Sequence, residues 1–319
     1  MKADVAILIV TYNSERQIGP CLRSVYDQRR AVGQEVIVVD NDSKDGTVEL
    51  IRRDFPQVNL IIPGKNLGFA AGVNLAAGHA DADYLLLLNP DTIVLDHAID
   101  VIVEFARRYP KHGLYGGRTL KDDLTLEPSS CWGLPSLWSF TTFAFGLNLI
   151  GRRNRFLDPE SLGSWQRDSV REVGIITGCF LLVSTSIWRQ LQGFDERYFM
   201  YGEDADLAMR AHSLGYRPVI CPDARLVHEI GQSSATPLHK ARLLYRGKCC
   251  YVRTHWKGLP RALGLLLLKT GVGLRALLCI LSGRRDDPWV GLWQERSAWA
   301  GGYPRPSEAP ALSPAAAVR

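Results

Sequence analysis

Residues 84–91 read Tyr-Leu-Leu-Leu-Leu-Asn-Pro-Asp, an apolar run that ends in a polar triplet. A short continuous run of this kind is typical of a strand buried on both faces, as in the parallel sheets of α/β proteins. Asn89, Pro90 and Asp91 then leave the strand as a turn. The stretch therefore predicts a central strand with an amide and a carboxylate at its carboxyl end.

The same pattern occurs twice earlier in the chain, over residues 5–10 and 35–40. The polar residues at the ends of these runs are Thr11, Tyr12 and Asn13 for the first and Asp40, Asn41 and Asp42 for the second. Helix patterns through Ile18 to Val25 and over 47–55, 70–77 and 99–109 alternate with these strands and with a further strand over 58–62. This alternation predicts an α/β fold with a mainly parallel sheet, in which ligands bind at the carboxyl ends of the strands.

The pattern weakens beyond residue 118. Residues 119–170 are rich in aromatic residues, Pro and Arg, and we expect an excursion over the site that is partly helical around 136–150. A strand over 173–183, helices over 186–191 and 203–214, and a last strand over 217–221 follow. We predict a domain of residues 1–235 in two halves (1–118 and 119–235), a helical appendage (236–300) and a disordered Pro/Ala-rich tail (301–319).

Charge and cysteine content bound the class of protein. Residues 239–319 hold 14 Lys/Arg against 4 Asp/Glu, whereas the first 238 hold 24 against 29, so an acidic body precedes a basic tail. The seven cysteines are odd in number, scattered and without a Cys-x-x-Cys pair, which is typical of reduced thiols in a cytosolic protein. The N-terminus reaches its first strand by Val5 without the pattern of a secretory signal.

The first strand is not followed by a glycine-rich phosphate loop. Thr11, Tyr12 and Asn13 stand where G-x-G-x-x-G would be, which argues against a dinucleotide-binding fold. Asp40 is placed to bind a nucleoside base or ribose, and an ordinary turn over residues 41–46 (NDSKDG) explains it equally well. A diphosphate bound here would need another source of positive charge, which a divalent metal supplies.

A second candidate binding segment covers residues 65–74 (KNLGFAAGVN). It enters a helix with Asn66, Gly68, Gly72 and Asn74. Glycines let backbone amides approach a ligand, and a helix N-terminus favours anions. Tight packing of the helix on the sheet is an equally good explanation of the two glycines.

Asn89, Asp91 and His228 are the candidate residues for a metal. Mg²⁺ and Mn²⁺ favour oxygen ligands and commonly use one or two carboxylates together with phosphate oxygens and water. His228 follows shortly after the last predicted strand, so it can reach the same edge of the sheet. The alternatives are a strand-exit turn for the triplet and a structural role for the histidine.

Three acidic residues, Glu203, Asp204 and Asp206, open a predicted helix. Carboxylates are favoured in the first turn because they complement the helix dipole. That explanation accounts well for one carboxylate and less well for three. The same dipole would keep Asp204 ionised, as a general base must be.

Six segments in order resemble the signature of the inverting family-2 glycosyltransferases. They are Thr11-Tyr12-Asn13, Val39-Asp40-Asn41-Asp42-Ser43, Asn66-Leu67-Gly68-Phe69, Asn89-Pro90-Asp91, Gly193-Phe194-Asp195-Glu196 and Tyr201-Gly202-Glu203-Asp204-Ala205-Asp206-Leu207. The resemblance spans about residues 4–230 and is strongest to the bacterial rhamnosyltransferase-like branch. It implies the GT-A nucleotide-diphospho-sugar transferase fold, with residues 1–118 as the nucleotide-binding half and 119–235 as the acceptor and catalytic half.

The resemblance also implies roles for individual residues. Asp91 and His228 would bind Mg²⁺ or Mn²⁺, and Asp204, next to Glu203, would be the base. Asn89 departs from the commoner D-x-D motif and would orient ribose or a water ligand. The donor expected from the branch is dTDP-L-rhamnose, with a UDP-hexose as the alternative, and the acceptor is a glycan or lipid-linked glycan. A nucleotide-sugar-binding protein without turnover and a nucleotidyltransferase are the other functions that fit these residues.

Residues 259–281 form an apolar segment that three cations interrupt. Arg261, Lys269 and Arg275 fall within one arc of about 120° on a helix, which predicts an apolar helix with a cationic stripe. Such a helix suits the surface of an anionic membrane better than a span across it. We therefore expect peripheral attachment to the inner face of the cell membrane, with packing of the helix on the body as the alternative. Nucleic acid is not an expected partner, because no aromatic or glycine framework accompanies the basic residues.

Overall fold

Apolar β-strands and amphipathic helices alternate along the first half of the chain. The computed structural model describes residues 2–28, 31–151, 154–228 and 236–304. Its strands are β1 Ala3–Thr11, β2 Gln34–Asp40, β3 Asn59–Ile61, β4 Ala82–Leu88, β5 Thr92–Val94, β6 Leu114–Leu120, β7 Cys131–Trp132, β8 Arg171–Glu172, β9 Ile175–Ile176, β10 Phe180–Ser184 and β11 Val219–His228. Its α-helices are α1 Glu15–Tyr26, α2 Thr47–Asp54, α3 Phe69–Gly78, α4 Ala98–Arg108, α5 Leu137–Ala144, α6 Leu147–Ile150, α7 Thr185–Leu191, α8 Glu203–Ser213, α9 Pro237–His255, α10 Gly258–Leu281, α11 Pro288–Gln294 and α12 Arg296–Ala300.

The central sheet has the strand order β3-β2-β1-β4-β10-β6-β11-β5, with β8 paired to β11. Strands β3, β2, β1 and β4 are parallel, and so are β6 and β11, whereas β10 runs antiparallel to both of its neighbours. The α/β fold class is thus confirmed, with a sheet that is parallel in its first half and mixed in its second. Because β10 is reversed, its start meets the carboxyl ends of β1, β2 and β4 at one edge.

The sheet is covered by helices on both faces because its central strands are apolar on both sides. Successive side chains of a strand point to opposite faces. Ile7 and Ile9 of β1 belong to one core together with α1, α2 and α4. Leu8 and Val10 belong to a second core together with α3, α7 and α8. This two-sided burial is what the unbroken apolar runs of the sequence predicted.

The C-terminal helices form a third apolar core that is continuous with the excursion after β7. Phe140 of α5 packs there with Tyr251 and Val252 of α9, Leu268 of α10 and the fully buried Trp299 of α12. One side of α10 therefore packs on the body of the protein. Among the described residues α10 is also the one helix that is long and apolar enough to cross a membrane. A helix buried in the core of a protein can have the same length and composition.

The expected cationic stripe on α10 is wrong at Arg275. This side chain is buried, stacks on the rings of Phe143 and Trp289, and donates to the carbonyl oxygen of Phe143 and to Oδ1 of Asn148. At Arg275 the arc faces the protein, where the guanidinium reaches hydrogen-bond acceptors, whereas Arg261 and Lys269 on the same arc are exposed. The opposite side of α10 exposes leucines instead.

Two predicted boundaries fall inside ordered structure. Strand β6 runs through the position at which the two halves, 1–118 and 119–235, were expected to meet. Tyr303 lies beyond the expected start of the tail at residue 301, yet it is buried and donates its hydroxyl to the carbonyl oxygen of Met200. The rest of the predicted disordered tail, from residue 305, lies outside the described residues, as do residues 229–235 at the predicted domain boundary.

Candidate active site

Asp91 and His228 lie side by side at the carboxyl edge of the sheet. Asp91 is the last residue before β5, and the antiparallel pairing of β5 with β11 sets His228 opposite Thr92. The imidazole Nε2 of His228 is 3.3 Å from Oδ1 of Asp91, and its Nδ1 is 3.5 Å from the hydroxyl of Ser129. The structure therefore brings together the two residues that the sequence assigned to a metal.

The chemistry of this pair fits a hard divalent cation. Oδ1 of Asp91 is buried and has no hydrogen-bond partner among the described residues, which leaves it available to a cation. Ligands about 2.1 Å from a six-coordinate Mg²⁺ lie roughly 3 Å apart, close to the separation of these two atoms. No cluster of three or more His, Cys, Asp and Glu side chains occurs in the described part of the chain. The remaining ligands would thus be phosphate oxygens and water.

Asn89 also lies at this edge, directly after β4. Its backbone N–H donates to the carbonyl oxygen of Cys179, and its carbonyl oxygen accepts from the hydroxyl of Thr92 at 2.6 Å. These bonds fix the backbone of the triplet. A role for Asn89 in binding ribose or a water ligand stays a prediction.

Glu203 and Asp204 begin α8 on the far side of the Cys179 loop. Gly202 precedes them with φ +104°, a conformation that L side chains rarely adopt. Gly178, just before β10, donates its N–H to Oδ1 of Asp204 at 3.1 Å. Since Cys179 follows Gly178 and its carbonyl oxygen accepts the N–H of Asn89, one short loop links Asp204 to the Asn89–Asp91 triplet.

Burial changes the protonation of this acidic pair. It raises the pKa of the Asp204 carboxyl to about 7, although the N–H donated by Gly178 opposes the shift. Burial and the neighbouring charges of Asp204 and Asp206 raise the pKa of Glu203 well above its usual range. Oε2 of Glu203 is buried and has no partner among the described residues. Burial thus favours the protonated form of Glu203, while Asp204 can exchange a proton near pH 7.

Asp206, the third acidic residue, has a structural role. It is buried, pairs with Arg210 within α8, and its Oδ1 lies 2.8 Å from Nε2 of His255 at the end of α9. Arg210 also donates to the carbonyl oxygens of Leu191 and Gly193. The contact with His255 thus joins the helix that carries Asp204 to the C-terminal helices, and the bonds of Arg210 join it to the end of α7.

The C-terminal helices also contact the segment that precedes Glu203, called here the acidic loop, through a glycine. A Cβ atom on Gly247 of α9 would lie 2.0 Å from the carbonyl oxygen of Tyr201, far inside van der Waals contact. Only glycine at this position lets the backbone before Glu203 rest directly on α9.

The candidate nucleoside site is a closed hydrogen-bond network at the ends of β1 and β2. Asp40 is buried and accepts bonds from the hydroxyl of Thr11 at 2.9 Å, the N–H of Ser43 at 2.9 Å and the hydroxyl of Ser43 at 2.6 Å. Asn13, at φ 50°, donates its N–H to Ser43 and accepts from the N–H of Lys44. The turn interpretation accounts for these contacts, and a bond from Asp40 to a nucleoside stays a prediction.

Two other predicted binding residues lie on the rim of this network. The side chain of Tyr12 is 38% exposed and therefore accessible to a flat ligand such as a base. Asp42, at φ 67°, pairs with Lys44 through an exposed ion pair of 2.6 Å.

The segment 65–74 stabilises the site by packing and hydrogen bonding more than it offers a surface to a ligand. The side chain of Asn66 accepts from the N–H of Gly68, whose φ of +81° and contact with Phe199 exclude a side chain. A Cβ on Gly72 would meet Val10 of β1 at 3.0 Å, so tight packing on the sheet explains this glycine.

Asn74 stabilises, through hydrogen bonds, the loop that leads to Glu203 and Asp204. Its amide accepts from the N–H of Phe194 at 2.9 Å and donates to the carbonyl oxygen of the same residue at 2.8 Å and to Glu196. With both ends of the amide engaged, Asn74 supports the site instead of facing a ligand.

Three residues that the sequence did not single out shape the site. They are Ser129, Gly178 and His255. Their contacts are long-range, and no local pattern around them could have revealed their partners. The strand-end residue Asn41 donates to the carbonyl oxygen of Gly68 and accepts from the N–H of Leu67, so it joins the end of β2 to the 65–74 segment.

The sequence is similar to a known enzyme family. A sequence model described as glycosyl transferase family 2 matches residues 6–161. The chain is 30% identical over 275 residues to the N-acetylglucosaminyl-diphospho-decaprenol L-rhamnosyltransferase of Mycobacterium tuberculosis, covering 78% of this chain and 84% of that protein. It is 27% identical over 237 residues to the rhamnosyltransferase WbbL of Escherichia coli K12, covering 70% of this chain and 83% of that protein.

The fold is similar to that of a solved sugar-transferring enzyme. The mannosyltransferase PcManGT of Pyrobaculum calidifontis, in complex with GDP-Man and Mn²⁺, superposes with a TM-score of 0.56 over 94% of this chain and 86% of that protein. At 17% identity this likeness concerns the fold alone, and it confirms the expected GT-A architecture.

Proposed function

The chain belongs to glycosyltransferase family 2, and we propose that it is an inverting enzyme that moves a sugar from a nucleotide-diphospho-sugar to a hydroxyl group in cell-surface glycan synthesis. One observation carries this proposal. The carboxyl of Asp204 is held apart from the Asp91–His228 pair by the Gly178–Cys179 loop, at the same edge of the sheet. One group is thus free to take a proton while the other two bind a cation.

In the proposed reaction each of these groups has a separate role. Asp204 takes the proton of the acceptor hydroxyl, whose oxygen attacks the anomeric carbon as the bond to the donor diphosphate breaks. Burial favours the protonated form of the neighbouring Glu203, which limits the negative charge beside the base. A divalent Mg²⁺ or Mn²⁺ held by Asp91 and His228 would stabilise the negative charge of the departing diphosphate.

For the donor we propose dTDP-L-rhamnose, with a UDP-hexose as the alternative. The similarity to rhamnosyltransferases from Mycobacterium tuberculosis and Escherichia coli supports this choice. The nucleoside end would lie against Tyr12 and the network of Thr11, Asn13 and Asp40. A base of either donor, thymine or uracil, would meet the same residues.

For the acceptor we propose a glycan linked to a membrane lipid, which the enzyme meets at the inner face of the cell membrane. The name of the Mycobacterium tuberculosis relative describes a sugar on a diphospho-lipid. The outer side of α10 supports a membrane contact, since Leu266, Leu277 and Leu278 are 58%, 50% and 62% exposed. Phe145 and Ile150, near the end of α5 and in α6, are also exposed, at 61% and 83%.

A panel of nucleotide sugars tests the function. Purified protein is incubated with each donor, a lipid-linked N-acetylglucosamine acceptor and Mg²⁺ or Mn²⁺, and the products are separated. Release of nucleoside diphosphate with a glycosylated acceptor supports the proposal. Formation of pyrophosphate in a parallel incubation with a nucleoside triphosphate and a sugar 1-phosphate would indicate a nucleotidyltransferase, and tight binding of nucleotide sugars without turnover would indicate a binding protein. Turnover of UDP-hexoses alone would overturn the choice of donor.

A further inference from the structure

A polar cavity of about 410 Å³ lies between the C-terminal helices and the loop that precedes α8. The side chains that line it include Arg197, Arg253, Thr254, Arg261 and Tyr303. None of the lining residues is acidic. The cavity is separate from the Asp91–His228 pair and from the nucleoside network, so the reaction described above leaves it unused.

The three arginines give the cavity a positive charge that the protein only partly neutralises. Arg197 pairs with Asp195. Arg253 donates to the carbonyl oxygen of Ala300 at 3.1 Å, and Arg261 has no hydrogen-bond or ion-pair partner within the described residues. Guanidinium groups present paired N–H donors that match the oxygens of a phosphate. An anion of this kind would relieve the repulsion among the three.

The position of the cavity connects it to the acidic loop. The ring of Tyr303, in the cavity wall, packs on the ring of Tyr198 with centroids 5.9 Å apart. A Cβ on Gly202 would meet the same Tyr198 ring at 2.9 Å, so Tyr198 separates the cavity from the residue before Glu203. The loop that carries Arg197 therefore continues directly into the proposed base.

The cavity also borders the first turn of α10, which carries Arg261. Leu259 and Leu263 of this part of the helix are 70% and 38% exposed, and they project from the opposite face, since residues two apart on a helix do not share a face. This end of α10 therefore presents a cation to the cavity and apolar side chains to the outside. A phosphate group that joins a lipid to a sugar matches these two features.

We propose that this cavity binds the diphosphate that joins the acceptor sugar to its lipid, through Arg253 and Arg261. The inference rests on the proposed function, since it assigns the acceptor of the same reaction. Thr254 offers a further hydroxyl within the cavity. Arg197 stays paired with Asp195 and orders the loop.

Binding of farnesyl diphosphate, a short soluble isoprenoid diphosphate, tests the proposal on the full-length protein. Chelator and saturating dTDP or UDP keep the probe out of the donor site. The double variant Arg253→Gln/Arg261→Gln is expected to bind the probe at least about ten-fold more weakly than the wild type. The matched control Lys257→Gln/Lys269→Gln removes two exposed cations of the same region and is expected to bind normally. Unchanged melting temperatures confirm that both variants are folded.

Two further experiments determine whether the cavity binds an isoprenoid diphosphate, a phospholipid headgroup or free phosphate. Flotation on phosphatidylglycerol vesicles is expected to fall equally in the two double variants. If the arginine variant loses vesicle binding but keeps its affinity for farnesyl diphosphate, the cavity binds phospholipid headgroups and the proposal is wrong. Competition by inorganic phosphate as strong as that by farnesyl diphosphate would also overturn it.

The outcome is separable from that of the proposed function. If no nucleotide sugar is turned over but probe binding still depends on the two arginines, the transferase function fails and the diphosphate site stands. If sugar transfer occurs and both double variants bind the probe like the wild type, the function stands and the site is refuted.

Discussion

The imidazole of His228 lies 3.3 Å from the carboxylate of Asp91 although most of the catalytic domain separates the two residues along the chain. Strand β11 delivers the histidine by pairing antiparallel with β5, which starts one residue after Asp91. The candidate metal site is therefore a product of sheet topology. It needs no local ligand motif beyond one carboxylate and one imidazole.

The first prediction concerns metal dependence. His228→Ala is expected to weaken Mn²⁺-dependent binding of the donor and the rate of transfer together, each by at least about ten-fold, because one of two protein ligands is lost. Calorimetric titration of donor with and without Mn²⁺ measures the first effect. His79→Ala, an exposed histidine on the same domain, is the control. Full wild-type activity in excess chelator would contradict the assignment.

The second prediction concerns the base. Asp204→Asn keeps an acceptor for the N–H of Gly178 but cannot take a proton, so kcat should fall by about 10²–10⁴-fold while donor affinity stays within about two-fold. Steady-state kinetics and donor titration check the two values. Asp223→Asn, at an exposed aspartate of β11, should behave as wild type. Wild-type turnover in Asp204→Asn would show that another group is the base.

The third prediction concerns the pH dependence of the rate. Since burial raises the pKa of Asp204 to about 7, the ionised base becomes scarce below neutrality. The value of kcat/KM should rise about ten-fold per pH unit up to about pH 7 and level off above it. A profile that is flat between pH 5 and 8 would be inconsistent with Asp204 acting as the base.

The fourth prediction concerns stability. The pKa of Asp204 is higher in the folded protein than in the unfolded chain, so the folded state holds a proton that the unfolded state has released between about pH 4 and 7. The free energy of unfolding therefore falls as pH rises through this window. Asp204→Asn should be more stable than wild type at pH 8, by about 4 kcal/mol, and equal to it near pH 3.5. Denaturant unfolding at both pH values measures the difference, and an unchanged difference across the range would refute the shift.

The fifth prediction concerns the membrane. Leu266→Ser/Leu277→Ser/Leu278→Ser removes apolar surface from the outer side of α10 without touching its packed side. Flotation on phosphatidylglycerol vesicles should fall more than ten-fold, because each leucine contributes on the order of 1 kcal/mol of burial. Leu124→Ser, at a leucine that is 61% exposed on a distant turn, is the control. Equal flotation of the wild type and the triple variant would show that α10 does not enter the bilayer.

The parallel part of the fold could be predicted because each of its buried strands corresponds to a continuous apolar run in the sequence. Strand β6 was missed, since its sequence holds Gly116, Gly117 and Arg118, which are weak strand formers. The structure explains the two glycines: a Cβ on Gly117 would lie 2.4 Å from the carbonyl oxygen of Ala224 in the neighbouring strand. Strand β11 was predicted too short because Pro222 follows Cys221, where the register with β6 shifts.

The site could be predicted as far as residue types and strand ends allow. Asp91, His228 and Asp204 meet at one edge as expected, because the edge is fixed by the direction of the strands. The partners of Asp206 and Asn74 could not be foreseen, since they depend on how α9 and the loop after α7 pack. For the same reason the periodicity of α10 placed its three cations on one arc but could not tell that this arc faces inward at Arg275.

The contact between Gly247 and Tyr201 limits how this enzyme could be recombined with its relatives. A chimera that joined the catalytic domain to the C-terminal helices of another transferase would need a residue without a side chain at this one position. Any larger residue would push on the backbone that aims Glu203 and Asp204, and activity would suffer even with the whole catalytic sequence intact. An exchange of the C-terminal helices therefore keeps the catalytic loop in place only when the incoming helix carries glycine at the position of Gly247.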